Sequence, residues 1–148
     1  MTAPIAVADF KTYFDRDFTF GTGKDTIRDA DITKAIAEAY LLFNPGLFAD
    51  VPSQAIAFEW LTAHILVKSL MSTGGIIQQG QGVNSTGSFP ISSKGAGPLN
   101  VSYGLPEDVV NNPALAQYLT TGYGVHYLNI VMPNLIGNFG SAQSDTNP

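Results

Sequence analysis

The sequence predicts a mainly α fold, a small helical bundle carrying a long β-hairpin or glycine-rich excursion and an extended C-terminal tail. Three observations predict it. Apolar residues recur at three- and four-residue spacing over 7–14, 29–43 and 53–72. Proline, glycine and asparagine separate these stretches. The helical spacing then stops at Gly74, and eight glycines fall in the 31 residues from Gly74 to Gly104. A chain of 148 residues with 45% apolar content suits one domain with its own core. The expected division is a helical body at about 7–73 and 112–132, an excursion at 74–104 and a tail at 133–148.

The first helix is expected over Val7–Phe14, where Val7, Phe10 and Phe14 make one stripe. Gly21 and Gly23 make the next segment a turn-rich connection. The second helix is expected over Asp29–Phe43. Asp29 is suited to capping the free N–H groups, and Asp31 favours the positive end of the helix dipole. Ile32, Ile36, Ala39, Tyr40 and Phe43 repeat at helical spacing, and Asn44-Pro45-Gly46 ends the run. A third helix, from about Ser53 to Met71 or Ser72, is apolar nearly all round and should be central. Strand-like runs at 88–93 and 99–103 suggest the hairpin. A short helix follows Asn112-Pro113, Thr121-Gly-Tyr-Gly124 interrupts it, and a last helix, clearest over Val125–Met132 and taken as Thr121–Met132 in the body, is cut by Pro133. Phe10, Ile36, Tyr40, Trp60, Leu61 and Leu128 are the expected core.

Seven Lys and Arg against twelve Asp and Glu give a net charge of −5. That balance disfavours a nucleic-acid binder, which neutralises phosphates with clustered cations. The chain has no cysteine, which excludes disulfides, thiolate metal sites and a thiol nucleophile. The opening residues lack a basic start followed by an apolar run, so no signal peptide is expected. The longest apolar stretch, 55–71, contains Glu59, His64 and Lys68 and reads as a buried helix, not a membrane span. Charged residues are scarce late in the chain. Between Ser69 and Pro148 only Lys94, Glu107, Asp108 and Asp145 occur. A free monomer usually keeps a more charged surface, so much of this half is expected to touch other protein.

The chemical motifs are incomplete. Gly21-Thr-Gly23-Lys24-Asp25-Thr26 has a lysine after glycine, but Phe18 replaces the first glycine of a phosphate loop and Asp25 would repel phosphate. Gly80, Gly82 and Gly87 miss the dinucleotide spacing at Ser85. Asp15-Arg-Asp17 and Asp29-Ala-Asp31 lack the glycine and distal Glu of a calcium loop. The two histidines, His64 and His126, fit no zinc spacing and accompany no nucleophile motif. His64 is expected to be a core histidine bonded to a carbonyl or carboxylate. The sequons Asn84-Ser-Thr86 and Asn100-Val-Ser102 are chance matches if the chain is not secreted. No catalytic, cofactor-binding or metal-binding residue is assigned.

In order and spacing, several pieces resemble the head-to-tail connector (adaptor, head-completion) proteins of tailed bacteriophages. They are Val7-Ala-Asp-Phe10 with Phe14, Ile27 to Ile32 followed by Ala35-Ile36 and Glu38-Ala39, and Ala63-His64-Ile-Leu66. Further on come Gly97 to Tyr103 and Thr120-Thr-Gly-Tyr-Gly124 with Tyr127-Leu128. Gly122 stands where that family carries proline, and the last helix lacks its basic residues. The resemblance implies a virion protein of the neck, not an enzyme, assembled in the bacterial host cytoplasm. It implies a ring of identical subunits, dodecameric to match the portal, stacked between the portal protein and a downstream neck or tail-completion protein. DNA would pass through its lumen without sequence-specific binding, and no membrane or cofactor would be involved.

On this reading the assembly interface draws on Ile76, Ile77, Val83, Phe89 and Ile91 of the excursion and on Leu135, Ile136 and Phe139 of the tail. These are poor candidates for lasting exposure to water, and the tail is expected to fold on binding. The alternative is a small-molecule-binding or enzymatic helical domain with a glycine-rich lid, its pocket between helices and His64 the polar group.

Overall fold

The computed structural model describes residues 4–24, 26–72 and 111–140, the last five of these as backbone. They are mainly helical. Helix α1 spans Val7–Tyr13, α2 Asp29–Leu42, α3 Val51–Ser72, α4 Pro113–Ala116 and α5 Gly122–Gly140, with 3-10 turns at Pro45–Leu47 and Gln117–Thr120. No strand occurs among the described residues; Phe20 and Ile27 form an isolated bridge. The expected hairpin lies outside them, as do Ile76, Ile77, Val83, Phe89 and Ile91 and the sequons.

Carboxylates set the helix starts. Asp9 accepts the Ala6 N–H at 3.1 Å and Asp31 accepts the Arg28 N–H at 3.0 Å. Asp29 is therefore not the cap of α2 but its first residue, where its carboxylate pairs with Lys11 of α1 at 3.0 Å. The extended residue before it, Arg28, takes the cap position because Asp31 can reach back to its N–H. Asp50 accepts from both the backbone N–H and the hydroxyl of Ser53 at 2.8 Å. These bonds favour its charged form and lower its pKa. They start α3 at Val51, two residues before the expected Ser53, with Pro52 tolerated in the first turn. The α2–α3 turn is closed by Asn44, whose side chain accepts from Gly46 N at 3.0 Å.

Helix α3 is the central element, packed on α2 along one side and α5 along another. Phe58, Leu61, Ala63, Leu66 and Val67 are all buried along it, each large side chain contributing about 1.5–3 kcal/mol. Its α1 end is aromatic. Phe10 stacks on Phe18 and lies tilted to Phe14, Phe14 meets Phe18 edge-on, and Phe14 and Phe18 also meet the Tyr123 ring from α5. Of the expected core, Phe10, Ile36, Leu61 and Leu128 are buried. Tyr40 and Trp60 are only half-buried, packed against the core from its rim.

Helix α5 departs most from expectation at its end. It begins at Gly122, one residue from the expected start at Thr121, and runs through Pro133 to Gly140, past the expected end at Met132. Thr121 explains the start, because its extended backbone and its hydroxyl, accepting the Gly124 N–H at 2.9 Å, make it an N-cap. At Pro133 the carbonyl of Asn129 loses its regular donor, and the Asn134 side chain donates to Ile130 O at 3.1 Å. The tail therefore begins as helix, not as extended chain, up to Gly140. Leu135 packs on the main core. Ile136 and Phe139 lie on the helical backbone, with side chains outside the described set.

Candidate functional site

A polar node lies where α3, the 117–120 turn and the start of α5 meet. His64, 2% exposed, makes a 2.8 Å hydrogen bond through Nδ1 to the hydroxyl of Thr121, itself fully buried. The expected partner was a carbonyl or carboxylate. A hydroxyl replaces it because Thr121 is already fixed there as the cap of α5. The hydroxyl accepts from Gly124 N, and we assign its hydrogen to Nδ1, the ring nitrogen 2.8 Å away. Nε2 then carries the ring proton. Burial, and secondarily the charge of Lys68, lower the pKa of His64 to about 4, so the ring is neutral at physiological pH.

Gly124 is required at this node. A Cβ there would meet the carbonyl oxygen of Tyr118 and would lie 2.6 Å from His64 Nδ1. The glycine lets the N-terminus of α5 close onto the 3-10 turn and the histidine.

Above His64 lies an open groove of about 400 Å3 between α2 and α3, closed at one side by Gln117 and Tyr118. Lys34, Glu38 and Leu42 line the α2 wall, and Ile65 and Lys68 belong to the α3 wall. Lys34 pairs with Glu38 at 3.8 Å. Lys68 has no ion-pair partner among the described residues.

Two features lie away from the groove. Glu59 of α3 is buried without a hydrogen bond or cation among the described residues. Burial, reinforced by the charge of Asp9, raises its pKa to about 7. Trp60 lies tilted against His126, ring centroids 3.9 Å apart, and packs edge-on to Phe14 and Tyr13. Its Nε1 is buried and finds no acceptor among the described residues. Apolar side chains are exposed at the α2–α3 corner, where Leu41 is 83% and Val51 74% accessible, and at Leu42 and Ile56.

Of the residues expected at an assembly interface, Leu135 is half-buried against the core, and the others lie outside the described side chains. The structure brings together instead His64, Thr121, Gly124 and Lys68. The i, i+4 relation of His64 and Lys68 was visible in the sequence. The Thr121–Gly124 cap had a signal too, a threonine three residues before a glycine whose N–H it satisfies. Their meeting with His64, 57 residues from Thr121, had none. Among the described residues no group of three or more His, Asp or Glu side chains is placed to hold a metal ion, and no helix is long and apolar enough to cross a membrane. Comparison with protein-family models, curated proteins and solved structures finds no match for the chain.

Proposed function

We propose that the protein is a structural subunit of a tailed-phage virion, a head-to-tail adaptor that forms a ring on the portal, extends the DNA channel and carries the next neck or tail protein. The observation that supports it most is the exposed apolar corner formed by Leu41, Leu42 and Val51. It stands on a chain with only four charged residues in its last 80. A ring uses two different patches per subunit, each contacting the other on a neighbour, and interface cores are depleted in charge. The resemblance of the helix order and of the Thr-Thr-Gly-Tyr-Gly segment supplies the identity of the partners. On this reading 74–104 is a hairpin excursion that joins 141–148 in contacting neighbours, and the net charge of −5 suits a lumen along which DNA slides without sticking.

Mass photometry of the purified protein, alone and mixed with the portal protein of the same genome, tests the proposal. The expected result is a mass shift of the portal in near-whole rings, from which the copy number is obtained. A stable lone monomer that leaves the portal mass unchanged would overturn it.

The groove over His64 favours a second reading, a helical domain that binds a small molecule. Its polar group would be a neutral histidine with one nitrogen already committed.

A further inference from the structure

We propose that the groove between α2 and α3 is a binding site for a small organic anion, its carboxylate or phosphate group held by Lys68 and the Nε2–H of His64. This deepens the ligand-binding reading and does not depend on the adaptor role.

Two independent observations carry it. The first is a buried polar group left to the groove. His64 is 2% exposed, and its Nδ1 is taken by Thr121. The Thr121 hydroxyl accepts from Gly124 N, and with its own hydrogen assigned to His64 Nδ1 the ring proton lies on Nε2. The ring therefore offers the groove a fixed N–H donor, not an acceptor and not a charge. The second is an available cation. Lys68 lines the same groove one helical turn from His64 and has no carboxylate within ion-pair distance among the described residues. A donor in a fixed direction beside an unpaired ammonium is complementary to an anion, and such charge-assisted bonds are the strong ones.

The rest of the lining limits the ligand. Lys34 stands on the opposite wall but is engaged by Glu38, so the cationic surplus of the groove is about one charge. That suits a monoanion better than a polyphosphate, whose further charges would meet Glu38. Leu42 and Ile65 add apolar wall, and the volume of about 400 Å3 exceeds what a bare ion occupies. An anionic head on a short aliphatic or aromatic group fits both. The neutral state of His64 has its cause in the same place, since burial and Lys68 both disfavour the imidazolium. An anion bound between the two would offset Lys68 and ease protonation of the ring.

The test is NMR of the isotopically labelled full chain, following the His64 ring. Sodium butyrate, sodium phosphate and neutral butyramide are titrated separately at constant ionic strength in chloride. The expected result is a saturable millimolar shift with butyrate, with phosphate or with both; which one saturates first tells a carboxylate site from a phosphate site. Lys68→Gln should weaken that binding about tenfold, while Lys24→Gln, outside the groove, leaves it unchanged. The bound anion should also move the His64 titration midpoint upward. Butyramide binding as well as butyrate, with no effect of Lys68→Gln, would overturn the anion assignment while keeping a ligand site. No saturable shift with any probe would overturn both the assignment and the ligand-binding reading, and would leave the adaptor role untouched.

Discussion

Glu59 is the residue whose placement costs the fold most visibly. A carboxyl buried beside Asp9, with no cation among the described residues, holds its proton up to about pH 7, whereas in the unfolded chain it loses it near the ordinary value. The folded state therefore binds the proton more tightly. The associated stability is full below the unfolded pKa of about 4.5 and is lost as pH rises through about 7. Glu59→Gln removes the titration. Its melting temperature should exceed that of the parent at pH 8 by the equivalent of about 1–2 kcal/mol, allowing for solvent screening, and the gap should close toward pH 5. A gap that is constant with pH would show that Glu59 ionises freely. At this scale the sequence was legible where one helix determines the outcome. Phe10 and Leu61 are buried as their spacing requires. It was silent where two distant segments meet, because nothing in a local pattern pairs His64 with Thr121.

The helices of the first half were legible to within two residues, since their ends are made by neighbours in sequence: Asp9, Asp31, Asp50 and Asn44 each bond within three residues. Helix α5 was legible at its start, near Thr121, but not at its end. There the proline read as a stop, and at the start a threonine cap and packing on α3 outweigh a propensity cost of about 1 kcal/mol per glycine. Pro133 is exposed, so its ring disturbs the backbone without entering the core. Pro133→Ala should restore the N–H donor to the Asn129 carbonyl and raise stability by about 1–3 kcal/mol, measured by chemical denaturation. A loss of stability would instead mean that the backbone as Pro133 holds it is what seats Leu135 on the core.

For the whole molecule, the division into body and tail shifts. With 133–140 helical and Leu135 half-buried against the core, the adaptor proposal can be tested by cutting the tail at two places. Under the adaptor proposal, a chain ending at Gly140 should keep the parent melting temperature and lose mass-photometric association with the portal. One ending at Pro133 should also melt lower, by the equivalent of about 1–3 kcal/mol for the lost burial. Association that survives the shorter deletion would move the docking surface to the α2–α3 corner or the excursion. Fold class and charge depletion were legible at this scale because both are averages over many residues. The groove was not, since a cavity depends on how α2, α3 and the 117–120 turn sit together.

The contacts of Trp60 have an optical consequence. It is the only tryptophan in the chain, and its ring touches α1 through Tyr13 and Phe14 and α5 through Tyr123 and His126. Its emission thus reports one place, the junction of the first, central and last helices. The imidazole of His126, tilted against it with centroids 3.9 Å apart, is a quencher when it carries a proton. Separating α5 from α3 should remove the quencher and admit water in the same event, so that intensity and wavelength change together. Loss of α1 alone should move the wavelength and leave the quenching in place. A single native fluorophore can in this way distinguish which end of the chain lets go first.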